Sequence, residues 1–246
     1  MIKDSKSSKF FKFTTSKIIL LGFSTLILIG AFLLCLPISN TAGTWSSFID
    51  ALFTSTSSVC VTGLIVYDVA IELSLFGQII VLFLIQIGGL GFVSVTSFLF
   101  LLIGKKIDYA TRLTIQESFN KEDSQDVIKT VIIVTLTTFI CEFIGFLMIL
   151  PSMIQYTGSF SSGLFKSLFL AVAAFCNAGI DPMGSTTPSF SNLSCFSGNA
   201  WILIPVMILI FIGGIGFIVI TDLINRVKNR KKLVFIPKLY CYCLYF

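Results

Sequence analysis

The chain has 246 residues, 55% hydrophobic and 12% charged, with a formal net charge of +5 and a mean hydropathy of +0.97. Such proportions exclude a water-soluble globular domain and leave an integral membrane protein. It has no histidine, which removes the commonest general base and metal ligand and with them zinc hydrolases and His-dependent triads.

Residues 1–16 form a basic tail, and the run from Lys17 to Leu36 has about the 20 apolar residues that cross a bilayer. The run is too long for a cleaved signal peptide, and three more follow it. Between Trp45 and Ser58 lies a stretch too short and too polar to span. It has a serine at an N-cap-like position, Phe48 and Leu52 at helical spacing and no proline, and is read as a half-length re-entrant helix. It enters Val59-Cys60-Val61-Thr62-Gly63. A second span is expected from Phe76 to Ile103, containing Ile87-Gly88-Gly89-Leu90-Gly91-Phe92, followed by a basic loop over 104–126. The third runs from Val127 to Leu150. A second re-entrant helix over Gly163 to Ala174 enters Phe175-Cys176-Asn177-Ala178-Gly179, and the fourth span, Trp201 to Ile224, carries Ile212-Gly213-Gly214-Ile215-Gly216-Phe217. Residues 226–246 form a closing basic tail.

The same unit is therefore written twice. An offset of 116 residues superposes Cys60 on Cys176 and Gly63 on Gly179, and an offset of 125 superposes the second glycine clusters, so the outer loop is nine residues longer in the second copy. The expected fold class is all-α and integral to the membrane: two membrane-pore loop-membrane modules, 17–103 and 127–225. Of 17 Lys and Arg residues, all but Lys166 lie in the tails or in and beside the central loop. Both termini and that loop are accordingly placed in the cytoplasm. The basic balance reports topology, and no nucleic-acid partner is expected. Seven cysteines, an odd number, lie mostly in spans or motif loops and give no disulfide framework.

Two copies inserted in one orientation are related by an axis along the membrane normal. Non-helical backbone at membrane depth must be buried in protein or line a water-filled cavity. One reading makes the two glycine motifs tight turns between helices. The other, favoured by their repetition after a re-entrant helix, makes them filter loops whose carbonyls replace the water of a cation. Gly63 and Gly179 supply the required dihedrals, and the helix C-termini before them favour positive charge. Asp50, Glu72, Asp68 and Asp181 make the outer mouth acidic, as cation-concentrating groups or as ordinary solvated charges. Glu142 inside the third span is read as a protonated or hydrogen-bonded packing residue, or as one with a pore-side or interhelical role. The glycine clusters Gly88, Gly89, Gly91 and Gly213, Gly214, Gly216 are read as close-packing positions. An aspartyl protease is excluded because Asp68 and Asp181 fall at the opposite end from Asp222, so no pair shares a proton. The chain is not expected to be an enzyme.

Thr56 to Leu64, Gln86 to Phe92 and Ala174 to Asp181 resemble the first two filter regions and inner helices of the Trk/Ktr/HKT potassium transporter superfamily, KtrB-type subunits above all. The resemblance covers about residues 15 to 232. It implies four modules around one pore, potassium as the transported ion with sodium dependence in several members, and no cofactor on this chain. It also implies homodimers and a cytoplasmic nucleotide-binding regulatory subunit. Carried onto this sequence, Val61, Thr62, Gly63 and Leu64 form one filter quarter, and Asn177, Ala178, Gly179 and Ile180 another. The chain departs from the family by ending after two modules, with an aromatic, cysteine-bearing tail from Leu233 to Phe246 that resembles either out-of-frame reading or a short membrane-associated end. The expectation is a half transporter from a truncated or split gene. It would work with a second copy or a complementary half, or else remain a non-transporting remnant.

Overall fold

The structure is a computed structural model and describes residues 15–91, 94–95, 124–185, 190 and 192–215. The expected central loop up to residue 123, both terminal tails short of residue 15 and beyond 215, and the far ends of the second and fourth spans lie outside the described residues. What is described is helical, with one isolated antiparallel bridge between Asn40 and Leu73. The helices are α1 (Thr15–Cys35), α2 (Phe48–Val59), α3 (Val69–Glu72), α4 (Leu75–Leu90), α5 (Ser124–Thr157), α6 (Phe160–Phe175) and α7 (Ala200–Gly214).

Among the described residues, Val131–Thr157 within α5 is long and apolar enough to cross a membrane, while Ile19–Cys35, Leu75–Leu90, Phe160–Phe175 and Ala200–Gly214 are apolar but shorter. The outward surface is itself apolar: Trp201 is 75%, Phe211 71% and Leu20 66% exposed. Water would not tolerate so continuous a hydrophobic surface, whereas lipid would.

In the first half α1 packs on α2 and α2 on α4; in the second, α5 packs on α6 and α6 on α7. The halves share a core. Val81 and Ile85 of α4 meet Phe169 and Val172 of α6 in one buried cluster, and Ile149, Met153, Phe175 and Ile202 form a second. α2 has 12 residues and α6 has 16, about 18 and 24 Å of helix, so both stop short of a hydrocarbon core of about 30 Å.

Two sequence expectations need correction. The third span does not end at Leu150: α5 continues through Pro151 to Thr157. Proline forfeits the hydrogen bond to the carbonyl four residues back, but Met153 is fully buried and the Ile154 backbone packs so closely on α6 that a Cβ on Gly163 would lie 2.8 Å from Ile154 Cα. That packing holds the extension in place. The second span is not continuous either, because Gly91 closes α4 with φ +80° and ψ 132°, a conformation that side chains with a Cβ avoid. A serine, Ser47, holds the N-cap position of α2, as expected, without a side-chain cap bond, and the Ser46 hydroxyl donates to Asn40 Oδ1 at 2.7 Å.

The glycine clusters set how α4 and α7 meet the short helices. A Cβ on Gly88 would strike the Val59 carbonyl oxygen, and one on Gly213 would strike that of Phe175. Both carbonyls belong to the last residue of a short helix, so the same contact is made in each copy. Intrinsic propensity favours alanine over mid-helix glycine by about 1 kcal/mol, whereas overpacking costs about 1–3 kcal/mol. We predict that packing wins. Gly88→Ala and Gly213→Ala should lower the thermal unfolding midpoint of the detergent-solubilised chain, while Gly198→Ala, which meets nothing within 4 Å, should not. A raised midpoint in the first two would refute the close approach.

Candidate functional site

α2 and α6 end in the same way. The Thr62 N–H donates to the Ser57 carbonyl at 3.0 Å, and the Ala178 N–H to that of Ala173 at 2.8 Å. These are the six-residue closures of a Schellman terminus, which place the intervening residue in the left-handed region. Val61 has φ 54° and Asn177 φ 58°, and two residues further on Gly63 has φ 78° and Gly179 φ 66°. Each loop thus alternates hand in the same places.

The loops meet. A Cβ on Gly63 would lie 2.9 Å from the Ala178 carbonyl oxygen and 3.3 Å from Gly179 Cα, and one on Gly179 would lie 3.3 Å from Gly63 Cα. Of the eight residues singled out in the sequence, Thr62, Leu64, Asn177 and Gly179 are exposed, Val61 and Gly63 are half-buried, and Ala178 and Ile180 are buried. A cavity of about 360 Å³ opens beside the second loop, lined among others by Asn177, Gly179, Ile180 and Asp181.

The two quarters differ in their support. The Thr62 hydroxyl donates to Ser57 Oγ at 2.9 Å, which holds the first loop to its own helix. In the second, the Asn177 amide faces α7; oriented to satisfy both ends, its nitrogen donates to the Ile210 carbonyl and its oxygen accepts from the Gly214 N–H, each at 3.3 Å. Val61 offers no such group, and a β-branched residue at positive φ is strained. The left-handed conformation costs about 1–2 kcal/mol for such a side chain and much less for asparagine.

The acidic mouth also needs correction. Asp68 is 6% exposed and is no solvated charge. Its Oδ1 accepts from the Ala70 N–H at 2.9 Å as the N-cap of α3, and its Oδ2 accepts from the Phe190 N–H at 3.1 Å. One carboxylate thereby joins the outer loops of the two halves. Asp181 turns back onto the Met183 N–H at 2.9 Å, and its carboxyl lies above the ordinary range because burial penalises its charged form more than that hydrogen bond favours it. Glu72 is also raised, by burial first and then by the neighbouring Asp68 and Asp50. Lys166 Nζ donates to Ser185 Oγ at 2.9 Å. Among the described residues no three His, Cys, Asp or Glu side chains converge to hold a metal ion.

Sequence reasoning missed two features. The partner of Asp68 lies 122 residues away, with no local signal. Gln86, a polar residue in an apolar run just before the glycine cluster, does carry a signal: it donates to Glu142 across the halves at 3.0 Å.

A family model described as TrkH, cation transport protein, matches residues 3–242. The chain is 39% identical over 230 residues to Ktr system potassium uptake protein B of Bacillus subtilis (strain 168), covering 94% of this chain and 49% of that protein. It is 38% identical over 215 residues to the potassium/sodium uptake protein NtpJ of Enterococcus hirae, covering 87% and 46%. To Ktr system potassium uptake protein D of Bacillus subtilis (strain 168) it is 30% identical over 217 residues, covering 88% and 47%. The chain spans about half the length of the relatives it matches.

Two outcomes are expected. Val61→Asn, which places at the first loop the residue found at the second, should stabilise the chain by about 1 kcal/mol, read as a higher unfolding midpoint; an unchanged or lower midpoint would show that the loop is not strained. Asp68→Ala should leave the N–H groups of Ala70 and Phe190 without their carboxylate partner, at a cost of about 1 kcal/mol each, and speed proteolysis between Asp181 and Asn199.

Proposed function

Because this chain belongs to the TrkH family of cation transport proteins, we propose that it is a potassium-translocating membrane subunit in which Val61 to Leu64 and Asn177 to Ile180 coordinate the ion through backbone carbonyls. The observation that carries the reading is the apposition of Gly63 and Gly179 at the ends of two short helices. Each helix C-terminus contributes roughly half a negative elementary charge, and the alternating φ values would let successive carbonyls turn toward one side instead of to opposite faces, as in a strand. The setting favours a cation and leaves selection among cations to carbonyl geometry. NtpJ is named for potassium and sodium together, and we extend sodium participation to this chain as part of the proposal.

The two copies also indicate what would complete the site. Gly89 is seated on Cys176 of the following half, leaving no room for a Cβ. The residues at equivalent positions, Gly214 and Cys60, are both exposed. They are where a second copy of this chain, or a complementary half, would repeat the contact and extend two quarters toward a ring. Two relatives are named as parts of a Ktr system, and a cytoplasmic nucleotide-binding subunit is the regulatory partner we propose from the family resemblance. The same reading makes the chain a multi-pass protein of the plasma membrane with both termini in the cytoplasm. Its halves are the two span, pore-loop, span modules over 17–103 and 127–225.

The test is rubidium uptake by potassium-starved cells that express the chain. Gly63→Val and Gly179→Val, each placing a branched side chain at positive φ against the facing loop, should reduce uptake to background while the protein remains in the membrane. Unaltered uptake in both would refute the filter assignment. No uptake from the parent chain, alone or with a complementary half, would refute transport.

A further inference from the structure

Glu142 is 4% exposed and sits in the middle of α5, in an apolar setting where an unpartnered carboxyl is costly. Its Oε1 accepts from Gln86 Nε2 of α4 at 3.0 Å, and faces Cys176 Sγ, a weak donor, in a long contact of 4.0 Å. Cys176 caps α6 immediately before Asn177 to Ile180. One oxygen therefore fastens the last apolar helix of the first half, the first of the second half, and the entry to the second loop.

Direct packing of α4 on α5 does not duplicate the bond between Gln86 and Glu142. α4 and α5 are separated by an apolar groove of about 600 Å³ lined by Leu82, Phe83, Phe139 and Phe143, with Gln86 and Glu142 bridging it. On its other side Cys176 is seated on Gly89, where a Cβ would lie 3.3 Å from Cys176 Cα. The thiol is held between a glycine of the first half and a carboxyl of the second. Its position sets the register of the loop that meets Gly63.

We propose that Glu142 is a positioning residue for the second loop, acting through Cys176 to hold Asn177 to Ile180 in register with Gly63. The consequence for ion preference rests on the filter reading above; the consequence for Cys176 does not. Loss of groups that orient ion ligands commonly costs about 10–100-fold in affinity, so Glu142→Leu should lower the preference for rubidium over sodium about tenfold. Glu142→Gln, which keeps an acceptor oxygen, should restore the preference.

The test couples two readouts in membranes containing the full chain with every cysteine except Cys176 replaced by serine. Glu142→Leu should label with N-ethylmaleimide severalfold faster than its parent, and Glu142→Gln at close to the parental rate. Gln86→Leu, which removes one donor and keeps the carboxyl, should give an intermediate rate and serves if Glu142→Leu fails to insert. Unchanged labelling in these variants would overturn the proposal, as would faster labelling with unchanged ion preference in a transporting chain. If the parent itself transports nothing, the filter reading fails on that result and the labelling rates alone decide the role of Glu142.

Discussion

The structure depends on a steric constraint: where the ends of the two short helices meet their neighbours there is no room for a Cβ. Gly88 and Gly213 lie against the terminal carbonyls of α2 and α6, Gly89 against Cys176, and Gly63 against Gly179. Because all of these but the contact with the Cys176 side chain are backbone to backbone, they fix position in a way that flexible side chains would not. Non-helical loops within an apolar surround must have their polar groups accounted for, and the Schellman closures do so for the N–H groups of Thr62 and Ala178. The glycines at these contacts thus act as spacers, and Gly63 and Gly179 supply their dihedrals as well.

The repeat is close in backbone and loose in chemistry. Asn177 braces its loop on α7, while the corresponding Val61 sits at the same positive φ with no polar group to offer. Lys166 of α6 stands where α2 has Asp50. Cys176 is gripped between Gly89 and Glu142, whereas Cys60 is exposed. Two copies under one backbone demand have diverged wherever a side chain faces a different neighbour. The first loop relies on its own helix and the second on the rest of the molecule.

Much of this was legible because the signals are local. Short amphipathic stretches, left-handed glycines and small residues at helical spacing point to α2, α6 and the two loops without reference to anything distant. The sequence was misread where a distant partner overrides local preference. Pro151 reads as a terminator, yet close packing of Ile154 on Gly163 carries α5 past it. Asp68 reads as a mouth carboxylate because nothing near it announces the Phe190 amide. Glu142 reads as a protonated or hydrogen-bonded packing residue or as one with a pore-side or interhelical role, and its neighbours Gln86 and Cys176 become apparent only when the helices are assembled. Gln86 could have been paired with it from polarity alone, since both interrupt runs that lipid would prefer uninterrupted.

The bond between Asp68 and Phe190 also bears on the order in which the molecule is made. The first outer loop carries a buried carboxylate whose second partner lies 122 residues later. At synthesis rates of about 5–20 residues per second that partner is roughly 6–24 s away. Until then one oxygen of Asp68 lacks its partner, and the loop cannot reach its final form before the third apolar run and α6 have followed. Contacts of such separation are slow to form and exposed to competing associations while they wait. The halves, alike in plan, are therefore unequal in time: the first is a waiting template, and the second completes both.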